Sequence, residues 1–395
     1  MVSEKMKSFV NGSSAIRAMF TEGKRLASIY GAENVYDYSL GNPSVIPPDS
    51  VKKSIIEILN TKDPNYIHGY PDNSGFEEVR EYVAQQTNKE FGTDFTYKNV
   101  VMTTGAAAAL NIIFKTILNP GDEVIVFAPF FGEYRNYVSN YDGKLVVVPT
   151  NKENFQIDID SLEKNITPRT KAIIINSPNN PTGVIYTEET ILKLSDTLYK
   201  KQEEFGTEIF LLSDEPYRRL VYDDANIPFI TKYYDNSFVS YSFSKALSLP
   251  GERIGYVIAN TNMSDFEDTM TALNVANRIM GFVNAPSLFQ LVLPYVMNEQ
   301  VDVNIYKKNR DKLYEILTSC GFECPTPEGA FYMFPKSLIE DDVEFCEKAK
   351  EYNLLLVPGS AFGCPGYIRL AYCVNYETIV NSEKAFKKLA DFYKG

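Results

Sequence analysis

The segment SFVSYSFSKALSLPGERIGY (residues 237–256) places a lysine where it can react. Lys245 follows an apolar, strand-like run and stands among small and hydroxyl residues. Burial or a neighbouring cation lowers the pKa of a lysine, so that its amine becomes a nucleophile and a base. Ser242, Ser244 and Arg253 are suited to hold a phosphate group beside that amine. The segment therefore predicts an aldehyde cofactor that carries a phosphate and binds covalently to Lys245.

Three other segments end or follow strand-like runs with residues that suit such a cofactor. In TTGAAAAL, Gly105 precedes a helix whose free N–H groups would hold a phosphate, although Ala-rich helix starts are also common. In INSPNNPTG, Asn180 either shapes a turn or points its amide at a ligand. In LLSDEPY, Asp214 needs a salt bridge, a helix cap or a protonated ring nitrogen as its partner. Pyridoxal phosphate fits, because it requires a lysine, an acid at its pyridine nitrogen and a phosphate cup.

The elements that must position these residues alternate between strands and helices. In an open α/β sheet, ligands bind at the carboxyl ends of strands, where these residues collect. Near-continuous apolar runs between helices indicate an α/β fold, in which helices flank a mostly parallel sheet in a large domain. Ser74-Gly75-Phe76-Glu77 resembles a capping box that opens a further helix. The strand-like runs are EVIVFA (123–128), KLVVVP (144–149), KAIIIN (171–176), EIFLLS (208–213), SFVSYS (237–242) and IGYVIA (254–259).

The pattern changes in the last quarter of the chain, which predicts a smaller α+β domain. A long helical segment leads there to GAFYMFP, to the strand-like NLLLVPG and GYIRLAY, and to a final helix. Residues 14–30 have helical apolar spacing, and we expect them to pack with this domain. We assign residues 48–299 to the large cofactor-binding domain, and residues 1–47 and 300–395 to the small domain.

Composition limits the class of protein. Of 395 residues, 44% are hydrophobic and 23% are charged, which is typical of an ordinary soluble globular protein. The net charge of −12 does not suit non-specific binding to nucleic acid or to a membrane surface. No apolar run is long enough to span a bilayer, and the N-terminus lacks the apolar core of a secretory signal. We therefore expect a cytoplasmic protein.

Histidine and cysteine usage narrows the chemistry further. His68 is the only histidine, which excludes multi-histidine metal sites and would oblige a Ser/His/Asp hydrolase to use that residue. It stands in the loop-like YIHGYPDNSG, and we expect a structural or rim residue. The five cysteines fit neither a zinc site nor CxxC redox chemistry, so we expect reduced thiols and no bound metal.

The sequence resembles the fold type I, class I/II aminotransferases, which use pyridoxal phosphate. SFSKALSLPGERIGY matches their S-x-[SA]-K…R-x-G signature, and the resemblance covers nearly the whole chain. It implies an enzyme that moves an amino group from an L-amino acid to a 2-oxo acid by a ping-pong mechanism. It also implies that Lys245 forms a Schiff base with the cofactor and later moves the proton. Asp214 would keep the pyridine nitrogen protonated.

By the same resemblance, other residues surround the cofactor. Tyr217 and Asn180 would hydrogen-bond its phenolic oxygen. Phe131 would stack on its ring, although a packed core aromatic is the alternative there. The phosphate would be bound by Gly105, Ala106, Ser242, Ser244 and Arg253.

The resemblance also implies a substrate site and a partner. Arg369 in GYIRLAY would pair with the substrate α-carboxylate, since a guanidinium makes two parallel hydrogen bonds to a carboxylate. Gly41 and Asn42 would lie near that carboxylate. Tyr70 would reach the phosphate in a partner subunit, which implies a homodimer with shared active sites, or it would simply fill a loop.

The class of amino donor and the type of reaction both remain open. Dicarboxylate-specific members use a further arginine from the partner chain, and Arg278 in NVANRIMGFVNAP lies near that place. Alignment on Asn284 and Pro286 puts Ile279 there instead. The donor is therefore aspartate or glutamate, or an apolar or aromatic amino acid. A carbon–sulfur β-lyase on the same fold shares the cofactor motifs and is the alternative reaction.

Overall fold

The N-terminal part of the chain is mainly helical. A computed structural model describes residues 2–11 and 15–394. The predicted N-terminal helix is present from Ala15 onwards, and residue 14 lies outside the described residues. The elements are α1 (Glu4–Asn11), α2 (Ala15–Tyr30), β1 (Tyr36–Asp37), α3 (Asp49–Thr61), α4 (Pro64–His68) and α5 (Glu77–Phe91).

The middle of the chain alternates strands with helices, as the sequence predicted. Every predicted strand is present, with shifts of up to two residues at its ends. The elements are β2 (Val100–Thr103), α6 (Ala106–Ile117), β3 (Glu123–Ala128), α7 (Tyr134–Asn140), β4 (Lys144–Pro149), α8 (Ile159–Asn165), β5 (Thr170–Asn176), α9 (Glu188–Phe205), β6 (Phe210–Asp214), β7 (Ser237–Ser242), α10 (Phe243–Ala246) and β8 (Gly255–Ala259).

The C-terminal part consists of long helices and short strands. The strands are at most four residues long, so they supply edges and turns more than a broad sheet. The elements are α11 (Phe266–Ile279), α12 (Ser287–Val296), α13 (Val303–Ser319), β9 (Tyr332–Met333), α14 (Asp342–Lys350), β10 (Leu354–Leu355), β11 (Val357–Pro358), β12 (Ile368–Ala371) and α15 (Tyr376–Lys394).

A seven-stranded sheet positions the site. Its strand order is β2-β8-β7-β6-β5-β3-β4, and β8 is antiparallel to both of its neighbours while the other neighbouring pairs are parallel. The register pairs Asn176 with Asp214, and Asp214 with Ser240. The carboxyl ends of β5, β6 and β7 therefore meet at one edge of the sheet, where ligands bind in such folds. This mostly parallel sheet confirms the predicted α/β fold.

Two apolar cores cover the faces of the sheet. Successive residues of β5 point to opposite faces, so Ile173 and Ile175 join one core and Ala172 and Ile174 join the other. Residues of α5, α9 and α12 complete the first core, and residues of α6 and α11 complete the second. Burial on both faces explains why these strands read as continuous apolar runs.

The two ends of the chain meet in a third core. Strand β1 pairs in parallel with β10, and Tyr38 packs in the cluster formed by α13, α14, α15 and the short C-terminal strands. This contact is what a small domain built from both termini requires, but the domain boundaries at 48 and 299 stay a prediction. Among the described residues, no helix combines the length and the apolar character needed to cross a membrane. The cytoplasmic location also stays a prediction.

Three local expectations were wrong or incomplete. The capping box at Ser74 does not form: α5 begins after Phe76, whose N–H donates to the Gln290 side chain instead. His68 ends the short helix α4 rather than lying in a loop. Strand β2 was missed, because four residues are too few for a periodic signal.

Candidate active site

A cavity of about 340 Å³ lies at the carboxyl edge of the sheet. It brings together residues that are far apart in sequence, from the loop after β1 to strand β12. Of the predicted site residues, Asn42, Gly105, Tyr70, Arg278 and its alternative Ile279 do not line it. Those that do are Gly41, Ala106, Phe131, Asn180, Asp214, Tyr217, Ser242, Ser244, Lys245, Arg253 and Arg369.

Lys245 occupies α10, directly after β7. Its side chain is partly buried, and its amine donates a hydrogen bond of 2.7 Å to the carbonyl of Gly41. Burial, together with the nearby cations Arg253 and Arg369, lowers the pKa of Lys245 to about 8. A substantial neutral fraction at pH 7–8 makes this amine a competent nucleophile and base.

Asp214 ends β6 and is buried. The hydroxyl of Tyr134 donates to its Oδ2 over 2.7 Å, whereas its Oδ1 has no partner among the described residues. The Asn176 side chain donates to the backbone carbonyl of Asp214 and fixes the strand end. Burial raises the pKa of the Asp214 carboxyl to about 7. A buried carboxylate oxygen without a donor is costly, so this atom calls for a proton-bearing partner from a ligand.

The start of α6 faces the loop that follows β7. Gly105 is the N-cap, with φ at +86° and no side-chain cap, so the first N–H groups of α6 have no intrahelical partner. A Cβ at Gly105 would come within 2.8 Å of the Arg253 guanidinium, so only glycine permits this approach. Ser242 and Ser244 lie nearby, with their hydroxyl oxygens 2.8 Å apart. Free N–H groups, two hydroxyls and a guanidinium form an anion site.

Asn180 and Arg369 meet at the other end of the cavity. Asn176 accepts a hydrogen bond from the Asn180 backbone N–H, which fixes the turn after β5. The Asn180 side-chain oxygen accepts from Nη1 of Arg369 at 3.4 Å. The Nη2 group of Arg369 donates to the carbonyl of Ser39, and its buried Nε has no described partner.

Arg369 is only 2% exposed, so its charge requires special surroundings. Its guanidinium lies over the rings of Tyr332 and Phe362, 4.9 Å from each centroid. Such aromatic faces stabilise a buried cation, but none of the described carboxylates pairs with it. Burial lowers the pKa of Arg369 from its ordinary value. This cation is therefore available to an anionic substrate group.

Tyr217 and Phe131 supply aromatic walls. The hydroxyl oxygen of Tyr217 lies 2.8 Å from that of Tyr332. Phe131 is half-buried and packs edge-on against Tyr134, with ring centroids 5.5 Å apart. It lines the cavity rather than being enclosed in the core.

Some predicted residues lie outside the cavity. Gly105 shapes its rim through the N-cap of α6, as above. Tyr70 is 90% exposed and does not line the cavity of its own chain. Arg278 and Ile279 are both exposed in the last turn of α11, away from this lining.

Comparison with known proteins identifies the family. The model of aminotransferase class I and II matches residues 32–382. The chain belongs to this family. A probable aspartate/prephenate aminotransferase of Aquifex aeolicus is 33% identical over 90% of this chain and 91% of its own length. The aspartate aminotransferase of Thermotoga maritima is 32% identical over 95% of this chain and 96% of its own.

Solved structures agree with that assignment. An amino transferase from Eubacterium rectale matches with a TM-score of 0.97 at 48% identity, and the match covers 100% of both chains. The chain is thus an aminotransferase that acts on amino acids and 2-oxo acids, as the sequence predicted. These matches give no support to the lyase alternative.

Class I and II aminotransferases use pyridoxal phosphate, and the cavity of this aminotransferase fits that group. The unpartnered Oδ1 of Asp214 is suited to accept a hydrogen bond from a ring N–H. The Arg253 guanidinium lies close to the backbone of Gly105, so its charge and the N–H groups of that helix start are suited to bind one phosphate. The net charge of the chain is −12, yet the cavity is lined by three cations and one carboxylate. Within residues 2–11 and 15–394, no group of three or more His, Cys, Asp or Glu side chains is arranged to hold a metal ion.

Sequence reasoning missed several residues of the site. Tyr134 follows Phe131 by three residues, but nothing in APFFGEY shows that its hydroxyl reaches Asp214. Tyr332 stands in GAFYMFP, a segment that the sequence marked only as part of the small domain. The cavity is also lined by Ala107, Leu110, Tyr137, Asn176, Pro216 and Pro250.

Proposed function

We propose that this aminotransferase binds pyridoxal phosphate in the 340 Å³ cavity and uses Lys245 for the proton transfers. One observation carries the proposal: a lysine amine, an unpartnered buried carboxylate oxygen and an anion site line the same cavity. Each of the three meets a different requirement of that cofactor. When bound, pyridoxal phosphate supplies an electron sink for the electrons left on the substrate Cα after its proton departs.

The phosphate end is formed by residues from two elements. The N–H groups at the start of α6, at Gly105 and Ala106, donate to the phosphate. Ser242 and Ser244 donate their hydroxyls, and Arg253 supplies the charge. The guanidinium already donates to the carbonyl of Thr104 over 3.1 Å, which holds it beside this helix terminus.

The ring end is formed by the carboxyl ends of β5 and β6. Oδ1 of Asp214 would accept a hydrogen bond from the ring N–H and keep that nitrogen protonated, while the Tyr134 hydroxyl donates to Oδ2. Tyr217 and the amide of Asn180 hydrogen-bond the phenolic oxygen, and Phe131 covers one ring face. Buried surroundings exclude water, which strengthens each of these interactions.

Lys245 has two tasks in succession. Its neutral amine would hold the cofactor covalently until a substrate amine takes its place. The released Nζ takes the proton from the substrate Cα in the first half-reaction and returns a proton to Cα in the second. A pKa near 8 allows the same group to accept and to donate at neutral pH.

Arg369 selects an α-carboxylate. Its buried guanidinium lacks an anionic partner among the described residues, and its Nε is free to donate. A substrate carboxylate has two oxygens that can accept parallel hydrogen bonds from the planar guanidinium. The loop at Gly41 lies against it, since Ser39 accepts from Arg369 and Gly41 accepts from Lys245.

A second copy of the chain completes the site in this proposal. Tyr70 is 90% exposed, and its loop is tied to the end of α11. The Asn73 side chain donates to the carbonyl of Val283, and the Asn277 side chain donates to the carbonyl of Asn73, both over 2.8 Å. These bonds present Tyr70 and the Arg278 turn together. Exposed apolar side chains of α3, α4, α11 and α12 would bury against that second copy, namely Ile56, Leu59, Tyr66, Val275, Ile279 and Tyr295.

Subunit mixing tests the shared site. Lys245→Ala and Tyr70→Ala subunits are each expected to be weakly active as homodimers. In a mixed dimer, one site receives both wild-type residues, so activity should recover toward a quarter of the wild-type value after random exchange. Lack of recovery, or a monomer by sedimentation at micromolar concentration, would argue against the shared site.

The donor is tested by single half-reactions. Protein loaded with pyridoxal phosphate is mixed separately with aspartate, glutamate, alanine, tyrosine, methionine and cystathionine, and its visible absorbance is followed. Conversion to the spectrum of pyridoxamine phosphate, reversed by a 2-oxo acid, would support transamination and identify the donor. Release of pyruvate and ammonia from cystathionine without that conversion would contradict the proposal.

Substitution of Arg278 distinguishes a dicarboxylate donor from an aromatic donor. The cations that line the cavity of the described chain all have tasks above, so a distal carboxylate needs Arg278 of the partner subunit. If the donor is a dicarboxylate, Arg278→Ala should raise the KM for it about tenfold or more, whereas an aromatic donor should be unaffected. Arg169→Ala is the control, since it removes another exposed arginine, which donates to the carbonyl of Gly121 and does not line the cavity.

A further inference from the structure

Tyr332 contacts three parts of the site, although none of the roles above is assigned to it. It stands on β9, is 2% exposed and lines the cavity. Its hydroxyl oxygen lies 2.8 Å from that of Tyr217, and its ring lies 4.9 Å from the Arg369 guanidinium. A Cβ on Gly41 would collide with the Tyr332 hydroxyl. The side chain therefore joins the cofactor end of the site to the substrate end.

We propose that Tyr332 is a positioning residue whose hydroxyl donates to Tyr217 and thereby directs the Tyr217 proton to the phenolic oxygen of the cofactor. This inference rests on the proposed function, in which Tyr217 hydrogen-bonds that oxygen. Tyr332 itself acts through Tyr217 rather than on the reacting atoms.

The direction of the bond follows from counting protons. Each hydroxyl has one proton to donate. Burial raises the pKa of Tyr332 to about 12 and that of Tyr217 well above its ordinary value, so both stay protonated at neutral pH. Once Tyr217 donates to the cofactor, it can only accept from Tyr332. Among the described residues, Tyr217 is the one hydrogen-bond partner of the Tyr332 hydroxyl.

A donated bond makes Tyr217 a stronger donor, because hydrogen bonds in a chain polarise one another. In protein loaded with pyridoxal phosphate, the Lys245 nitrogen and the phenolic oxygen would compete for one proton. A stronger donor on that oxygen stabilises the form that has lost the proton. Tyr332 therefore lowers the pH at which the visible absorbance of the loaded enzyme changes.

The ring of Tyr332 has a separate effect. Together with the ring of Phe362, it makes a cation–π contact with the Arg369 guanidinium. Tyr332→Phe keeps this stacking and removes only the hydroxyl, so the KM for the amino acid should stay within about twofold. Tyr332→Leu removes the stacking and should raise that KM several-fold.

A double-mutant cycle tests the proposal by spectral titration of pyridoxal-phosphate-loaded protein. The variants are wild type, Tyr332→Phe, Tyr217→Phe and the double variant, and Tyr234→Phe is the control. Tyr234 is a buried tyrosine that donates to the carbonyl of Ile209, away from the cavity. We expect Tyr332→Phe to raise the absorbance midpoint by about half a pH unit. The same change should have no effect in the Tyr217→Phe background, and Tyr234→Phe should match the wild type.

Two results would overturn the role of Tyr332: an unchanged midpoint in Tyr332→Phe, or an equal shift with and without the Tyr217 hydroxyl. Wild-type protein that forms no titrating visible band would instead refute the proposed cofactor site, and this inference with it. Incorporation of 3-fluorotyrosine at position 332 keeps the hydroxyl and makes it a stronger donor, so the midpoint should fall. A rise with that residue would contradict the proposal, even if Tyr332→Phe does not fold.

Discussion

The hydroxyl of Tyr134 donates a hydrogen bond to Oδ2 of Asp214 over 2.7 Å, while Oδ1 of the same carboxylate has no partner among the described residues. The two oxygens of one buried acid therefore have different tasks. One anchors the side chain to the start of α7, and the other is the atom that the proposed function assigns to a ring nitrogen. Asp214 also adjoins the turn at Asn176, so its position depends on two neighbouring strand ends.

Replacing the Asp214 carboxylate should remove most of the catalysis but not all cofactor binding. Asp214→Asn keeps the shape and loses the charge that holds the ring proton, so kcat should fall about 10²- to 10³-fold. Tyr134→Phe leaves the charge and removes one hydrogen bond, so its loss should be about tenfold. Steady-state kinetics measure both, and an unchanged rate in Asp214→Asn would reject the role of that carboxylate.

Asp214 should make the cofactor-free protein less stable at higher pH. Below about pH 4 its carboxyl is protonated in both the folded and the unfolded state. Between about pH 4 and pH 7 the unfolded chain loses the proton while the buried carboxyl keeps it, so this group lowers stability as pH rises. Asp214→Asn should therefore raise the melting temperature of the cofactor-free protein at pH 8.5 by about 2 °C or more, and by less at pH 5. An equal gain at both pH values would show that burial does not raise this pKa.

The pKa of Lys245 should set the pH dependence of cofactor capture. Burial lowers it to about 8, and only the neutral amine attacks an aldehyde. Stopped-flow absorbance should show that capture by cofactor-free protein accelerates with pH up to about 8 and then levels off. Lys245→Ala is the control and should show no such phase. A rate that keeps rising to about pH 10 would indicate an ordinary exposed lysine.

Arg369→Lys should weaken substrate binding far more than cofactor binding. The lysine ammonium is a point charge and cannot make the two parallel hydrogen bonds of the guanidinium that lies over the Tyr332 and Phe362 rings. The KM for the amino acid should therefore rise about 10- to 100-fold. The control is Arg80→Lys, which changes another buried arginine, whose partners are the carbonyls of Gly75 and Tyr97. Equal KM values for Arg369→Lys and the wild type would remove Arg369 from the carboxylate site.

The sequence singled out candidate site residues at the ends of strands, for a physical reason. Parallel strands buried on both faces read as apolar runs, and a polar residue such as Asp214 at their carboxyl end stands out. Lys245 was found in the same way, since it follows β7 directly. Their meeting at one edge follows from the sheet order alone.

The rest of the site depends on contacts between distant segments. Nothing local distinguishes Tyr134 or Tyr332 from the other tyrosines, because their partners lie 80 and 115 residues away in the chain. The capping box at Ser74 failed for the same reason: α5 begins after Phe76 instead, and the Phe76 N–H donates to the side chain of Gln290 from α12. Tertiary partners decided these positions, and single-segment patterns do not contain them.

The most direct test of the proposed site locates the lysine that holds the cofactor. Protein loaded with pyridoxal phosphate is reduced with borohydride, digested and mapped by mass spectrometry, with and without prior exposure to the amino donor. We expect the reduced cofactor on the peptide that contains Lys245, and we expect the donor to prevent this labelling because its amine displaces that lysine. Label on a different lysine, or no label in the wild-type protein, would contradict the assignment of this cavity as the active site.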